Sequence, residues 1–268
     1  GTANGLWAQV TGGKTKLKGI STGAQDLDLD TDAYGLAVGG EAALQNITLG
    51  AAFMGGSGKT ENDSVAGKDD FNYYGISFYA KTQVQGIDLE GDVSAAWLKS
   101  DLTVGGAADV DTDTTTAVYS LGIQAKKTFN LGVDVTPFIG MDVYHIKSDG
   151  FTTNHGVSIE DANATIVEFP IGAEVKKALQ TSSGFSVAPS FSLAVVPTVG
   201  CKDIDSKVRF AGAESTYNFT FADDVKVRSQ LGIEAQKDNF TLGLAAGYDW
   251  GNEERSAASV QLRAKYAF

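Results

Sequence analysis

A few stretches carry residue types at spacings that could support chemistry. Gly55-Gly56-Ser57-Gly58-Lys59-Thr60 has the Gly-Lys-Thr ending of a phosphate-cradling loop. That loop needs a glycine five residues before Gly58, and the position holds Phe53; an acidic run, Glu61-Asn62-Asp63, follows instead of a helix. Asp26-Leu27-Asp28-Leu29-Asp30 and Asp109-Val110-Asp111-Thr112-Asp113 resemble the start of a calcium loop. Both lack the glycine at position six (Thr31 and Thr114) and the closing glutamate (Ala37 and Ser120). A solvated acidic loop is the better reading of each. His145 and His155 are the only imidazoles; neither has a second ligand at metal spacing, and no Gly-x-Ser-x-Gly elbow accompanies them. Cys201 is the single cysteine, which excludes an intrachain disulfide, and nothing local would activate its thiol. No catalytic residue, cofactor or resident metal is expected.

What the chain does have is alternation. Strands are expected over residues 5–15, 31–44, 47–58, 70–84, 87–103, 113–128, 132–147, 163–179, 185–199, 224–237, 240–250 and 256–268. Short turns (Gln45-Asn46, Gln85-Gly86, Asn130-Leu131, Thr181 to Gly184, Asp238-Asn239) alternate strictly with long polar connections. Strands that run up and down then place every short turn at one end and every long loop at the other. A β-sandwich has no reason to sort its loops this way; an outer-membrane barrel, with short periplasmic turns and long external loops, does.

Successive strand residues point to opposite faces, so each segment yields two stripes. One stripe is apolar and bounded by aromatics, as in Phe240, Leu242, Leu244, Ala246, Tyr248 and Trp250. Tyr74, Trp97, Phe240, Tyr248 and Trp250 would form an aromatic girdle at the membrane interfaces. The other stripe is polar and rich in small residues. It places Glu41, Asp88, Glu90, Asp92, Glu168, Glu174, Lys176, Lys226, Arg228, Glu234, Arg263 and Lys265 around a wet lumen, since charges need water or each other. The closing stretch is similar to the last strand of an outer-membrane barrel. Val260, Leu262, Ala264, Tyr266 and Phe268 line its apolar face and are expected to serve as the assembly signal.

Composition agrees with a barrel. The 268 residues include 32 glycines and carry a net charge of −12, too acidic for a nucleic-acid partner. Mean hydropathy is −0.08, and no window approaches a transmembrane helix. Barrel strands need only about 9–11 residues, half of them facing polar space. Gly1 is not a methionine and no signal segment precedes it, so the chain is expected to have lost a signal or to be cut from a longer protein. Pro137, Pro170, Pro189 and Pro197 fall in three adjacent strands, where bulges and one distorted wall are expected.

Several segments resemble the translocator domain of autotransporters (type V secretion). These are Gly5-Leu6-Trp7-Ala8-Gln9-Val10-Thr11-Gly12-Gly13, Asp32-Ala33-Tyr34-Gly35-Leu36-Ala37-Val38-Gly39, Pro137-Phe138-Ile139-Gly140 with Tyr144-His145 and Asp149-Gly150-Phe151, Phe210-Ala211-Gly212-Ala213, Leu231-Gly232-Ile233-Glu234-Ala235 and the closing Phe268. The resemblance covers essentially the whole chain. It implies an all-β fold: a 12-stranded antiparallel up-and-down transmembrane barrel in the bacterial outer membrane, one domain over residues 1–268. It further implies a non-enzymatic role, anchoring an N-terminal passenger and supporting its secretion through a polar lumen. Partners would be outer-membrane lipid, the barrel assembly machinery and the chain's own passenger, with no nucleic acid and a monomeric barrel. A helix normally precedes the first strand and fills the lumen; with strand one opening near Gly5, helix and passenger are expected to lie outside this chain. Relatives often place a cation where Gln9 stands, and some cut their passenger with lumen carboxylates, though no cleaving pair stands out here. The alternatives are an outer-membrane porin or loop-based adhesin without a passenger, or a barrel hydrolase.

Overall fold

The computed structural model describes residues 4–21, 26–62, 67–104, 110–220, 222–251 and 255–268. Twelve strands form one closed antiparallel sheet. They are β1 (Gly5–Ser21), β2 (Asp26–Leu44), β3 (Ile47–Asn62), β4 (Gly67–Val84), β5 (Ile87–Val104), β6 (Val110–Lys126), β7 (Asp134–Ser148), β8 in two segments (Ala162–Glu168 and Ile171–Lys176), β9 (Ser186–Gly200), β10 (Val225–Lys237), β11 (Phe240–Gly251) and β12 (Arg255–Ala267). Short pieces, Phe129–Asn130 and Leu179–Gln180, continue β6 and β8 toward their turns. Each strand pairs with its neighbours in sequence. β1 then pairs with β12 from Gly5↔Ala267 to Leu17↔Arg255, which closes the ring and leaves no edge. The described residues contain no helix.

The side-chain arrangement is the inverse of a soluble domain. Large apolar residues are exposed, including Leu231 at 64% and Leu244 at 48%. Among the described residues Val196 is the only large side chain that is fully buried. An exposed apolar belt of this extent on every strand is incompatible with water. The hydrophobic surface therefore faces outward, and the polar stripe lines the inside.

Two-residue turns at one end are made by residues that accept positive φ, as at Gln85 (φ 52) and Gly86 (φ 75), the geometry that follows the strand twist. At the other end the strands run further than the alternation of apolar residues suggested. β1 to β6 continue through residues such as Asp30, Glu61, Lys68 and Thr112, which lie outside the strands expected from that alternation. Beyond the apolar belt both faces are wet, so the period-two signal disappears while the ladder continues. Cross-strand charge pairs take over: Lys14 reaches Asp30 at 3.4 Å and Asp32 at 3.7 Å, and Lys16 reaches Asp30 at 3.4 Å.

The long connections after β7 and β9 meet in a small external sheet. Its strands are Phe151–Thr152, Ser158–Ile159, Asp203–Phe210 and Ala213–Thr220. Phe210-Ala211-Gly212-Ala213, expected as external loop, is the hairpin turn of this sheet, with Ala211 and Gly212 at positive φ. Gly55 to Thr60 lie in β3 between β2 and β4, so the segment forms no phosphate loop. Asp109 lies outside the described residues.

The proline wall corrects an expectation. The pairing of β7 with β8 keeps one register from Glu168↔Asp142 to Ile171↔Ile139, so no residue is inserted and no bulge forms. Each proline keeps the half of the ladder that it can make. Its carbonyl accepts a bond: Lys127 N–H to Pro137 (3.2 Å), Gly140 to Pro170 (2.8 Å), Phe169 to Pro197 (2.9 Å) and Lys177 to Pro189 (3.2 Å). The return bond is lost because proline has no N–H. That loss interrupts β8 at Phe169 and Pro170 without shifting it.

Candidate functional site

The inward face divides into two walls. The first surrounds the β1–β12 seam. Glu41 on β2 is 7% exposed and sits at its centre. It accepts hydrogen bonds from Lys265 on β12 and from the Tyr79 hydroxyl on β4 (3.0 Å), and Lys81 stands 3.5 Å away. Trp7 Nε1 on β1 donates to Tyr79 at 2.8 Å, and the Arg263 guanidinium lies 4.6 Å from the Trp7 ring centroid. One carboxylate on β2 thus binds groups from β4 and β12, and through Tyr79 it is linked to Trp7 on β1, so four strands, both partners of the closure among them, meet in one network. A buried carboxylate needs such partners, because removing its hydration is costly.

Glycines on β2 and β3 let aromatic rings lie flat against this wall. A Cβ on Gly39 would stand 2.5 Å from the Trp7 ring, and one on Gly50 would stand 2.1 Å from the Tyr79 ring. Likewise Gly35 and Gly56 accommodate Tyr73, and Gly58 accommodates Phe71. The aromatic side chains fill the volume the glycines leave.

The second wall spans β5 to β11. Its charges meet mostly in pairs: Lys126–Glu90 (2.7 Å), Lys226–Glu168 (2.6 Å), Lys176–Glu234 (3.3 Å) and Arg228–Asp249 (3.1 Å). Asp88 accepts from Gln83 at 2.7 Å nearer the turns. Asp92 and Asp142 flank Gly122, where a Cβ would stand 2.5 and 2.9 Å from their Oδ1 atoms. Neither carboxylate has a hydrogen-bond or ion-pair partner among the described residues. Beside Asp142 a polar cavity of about 430 Å³ opens into the lumen, lined also by Gln124, Glu174, Lys176 and Arg228 among others.

The remaining anticipated residues fall on the outer face. Tyr74 stacks on Trp97 (5.6 Å between centroids), Tyr248 lies 5.9 Å from Trp250, and Phe240 is exposed. On β12, Val260, Leu262, Tyr266 and Phe268 are exposed, with Ala264 in the same stripe. His145 faces outward, stacked on Tyr119 and bonded through Nδ1 to the Thr165 hydroxyl at 2.8 Å. Gln9 bonds to Thr11 at 3.3 Å. The described residues contain no cluster suited to a metal. Trp7, Tyr79, Lys81, Asp142 and Asp249 belong to the site but had not been singled out. The signal for Tyr79 was available: alternation puts it and Tyr73 on the polar face, opposite glycines of β3.

A closed ring with an apolar exterior and a charged, partly open interior defines an outer-membrane β-barrel. The autotransporter β-domain family matches residues 6–249, and the chain belongs to it. The fold resembles the translocator domain of the autotransporter NalP from Neisseria meningitidis (TM-score 0.77, 14% identity, covering 100% of this chain and 89% of that one). It also resembles the transport unit of AIDA-I from Escherichia coli (TM-score 0.71, 14%, covering 98% and 90%) and the β-domain of the Bordetella autotransporter Brka (TM-score 0.71, 16%, covering 99% and 100%). A comparison with curated protein sequences gives no match. The chain is an outer-membrane translocator barrel, of the kind to which a passenger domain is linked.

Proposed function

We propose that this barrel, acting as a single domain over residues 1–268, holds an N-terminal passenger in the outer membrane and gives it a polar route outward. The observation that carries this reading is the combination of an apolar exterior with a lumen whose charges are largely paired. Paired charges offer an unfolded chain a water-like surface with few uncompensated sites to grip it. The role is conduction and anchoring, without catalysis. One chain closes the ring through β1 and β12, so a monomer suffices. Outer-membrane lipid contacts the apolar belt, with Tyr74, Trp97, Phe240, Tyr248 and Trp250 at its borders. The assembly machinery reads the β12 stripe that ends on Phe268.

The test is a reporter passenger fused upstream of Gly1 and expressed with an export signal in a Gram-negative host. Protease added to whole cells should remove the reporter while the barrel stays heat-modifiable on gels. A well-assembled barrel whose reporter stays inaccessible would contradict the secretion role. Deleting Phe268 should lower the amount of assembled barrel; unchanged assembly would contradict the signal role.

A further inference from the structure

The short-turn rim of the outer face is chemically lopsided. On the descending strands of one half, the outward position nearest the turn is a lysine: Lys127 after β6, Lys177 after β8 and Lys237 at the end of β10. All three are exposed. None has a carboxylate partner among the described residues. Most lysines of the chain do: Lys14, Lys16, Lys59, Lys68, Lys81, Lys126, Lys176, Lys202, Lys207, Lys226 and Lys265 each meet an acid. The equivalent outward positions on the other half are Leu44, Val84 and Tyr266, which carry no charge.

Aromatic rings hold two of the three cations at the border of the apolar belt. Lys127 Nζ lies 5.5 Å from the Phe129 ring centroid, and Lys237 Nζ lies 4.9 Å from that of Phe185. Phe129 and Phe185 are themselves exposed, with Leu131 and Leu179 beside them. An ammonium on an acyl-facing surface extends to the headgroup level, its alkyl stem lying along apolar surface. The acids at this end, Asp134 and Asp238, lie elsewhere. Asp134 is on the inward face, hydrogen-bonded by Asn130 at 2.9 Å, and Asp238 occupies the β10–β11 turn.

We propose that Lys127, Lys177 and Lys237 form a docking arc for anionic phospholipid headgroups in the leaflet at the short-turn end. A phosphate diester bearing net negative charge, with acyl chains below it, matches three uncompensated ammoniums above an apolar belt. The proposal rests on the lipid-facing reading of the outer surface and adds to it a lipid class and a side of the barrel. Each lysine near an anionic surface contributes about a fivefold preference.

The test uses the chain reconstituted in phosphatidylcholine vesicles containing a trace of spin-labelled phosphatidylglycerol or spin-labelled phosphatidylcholine. The fraction of label immobilised at the barrel reports selectivity. The wild type should favour phosphatidylglycerol. K127Q/K177Q/K237Q should bring the ratio close to that for phosphatidylcholine, and K127R/K177R/K237R should keep it. Soluble glycerol phosphate at millimolar concentration should leave the ratio unchanged, which separates a lipid from a free phosphate. Equal ratios in the wild type and the glutamine variant would overturn the proposal and leave the lysines to another partner, such as an acidic protein. A chain that fails to insert into vesicles would instead sink the barrel reading itself.

Discussion

The two inner walls of this barrel solve the same problem in opposite ways. The seam wall is locked. The network around Glu41 ties β1, β2, β4 and β12 together, and aromatic rings rest on glycines with no room for a methyl group. The proline wall is loose. Its ladder lacks four return bonds, two of its carboxylates stand unpartnered, and a cavity opens beside one of them, Asp142. A ring must be closed somewhere, and the β1–β12 contact is the one that joins residues farthest apart in sequence. Packing and charge are concentrated there. On the far wall, where neighbours in sequence are already neighbours in space, the same investment is unnecessary, and polar volume is left in the lumen.

The comparison breaks most readily at Glu41. Glu41→Ala leaves Lys265 and Lys81 without their shared anion and should cost about 3 kcal/mol in urea unfolding from vesicles. Asp142→Asn on the loose wall, which removes a charge that has no partner, should leave the midpoint unchanged or raise it. Equal losses at the two sites would erase the distinction. A smaller effect is expected from added methyl groups. Gly39→Ala forces Trp7 or the strand to move and should cost about 1–3 kcal/mol, whereas Gly243→Ala meets nothing within 4 Å and should be neutral. Amide exchange gives a local view. Amides flanking the proline gaps, such as Phe169 and Lys177, should exchange faster than those of Val10 or Leu262 at the seam; uniform protection would show that the missing bonds do not loosen the wall.

The weakest effect belongs to the external sheet. The hydrogen bond from Arg209 Nε to Glu214 (2.7 Å) holds the Glu214 carboxyl below the usual carboxylate range. A depressed carboxylate stabilises the folded form above its unfolded pKa and loses that contribution as pH falls through the folded one. The hairpin Asp203–Phe210 with Ala213–Thr220 should therefore fray slightly in acid while the barrel stays intact. The pH dependence of its amide exchange, compared with that of Glu214→Gln, measures this.

Much of this was legible in the sequence where one face is lipid and the other is water. On β11 and β12, strict alternation gave both stripes. Legibility failed where that contrast stops. Asp30, Glu61, Lys68 and Thr112 fall outside the expected strands because strands that are wet on both faces carry no hydrophobic period. The prolines suggested bulges, since a sequence reveals a missing donor but not that the ladder can keep register around it. Glu41 was placed inside the barrel, yet its importance was hidden. Lys265 is 224 residues away, and only closure brings the two together.

The account stands on which stripe touches acyl chains. In a Cys201→Ser background, single nitroxides at successive positions from 241 to 246 on β11 can be read in bilayers against oxygen and a nickel chelate. Labels at 242, 244 and 246 should be relaxed mainly by oxygen, and those at 241, 243 and 245 mainly by the chelate. A reversed alternation, or none, would contradict the barrel described here.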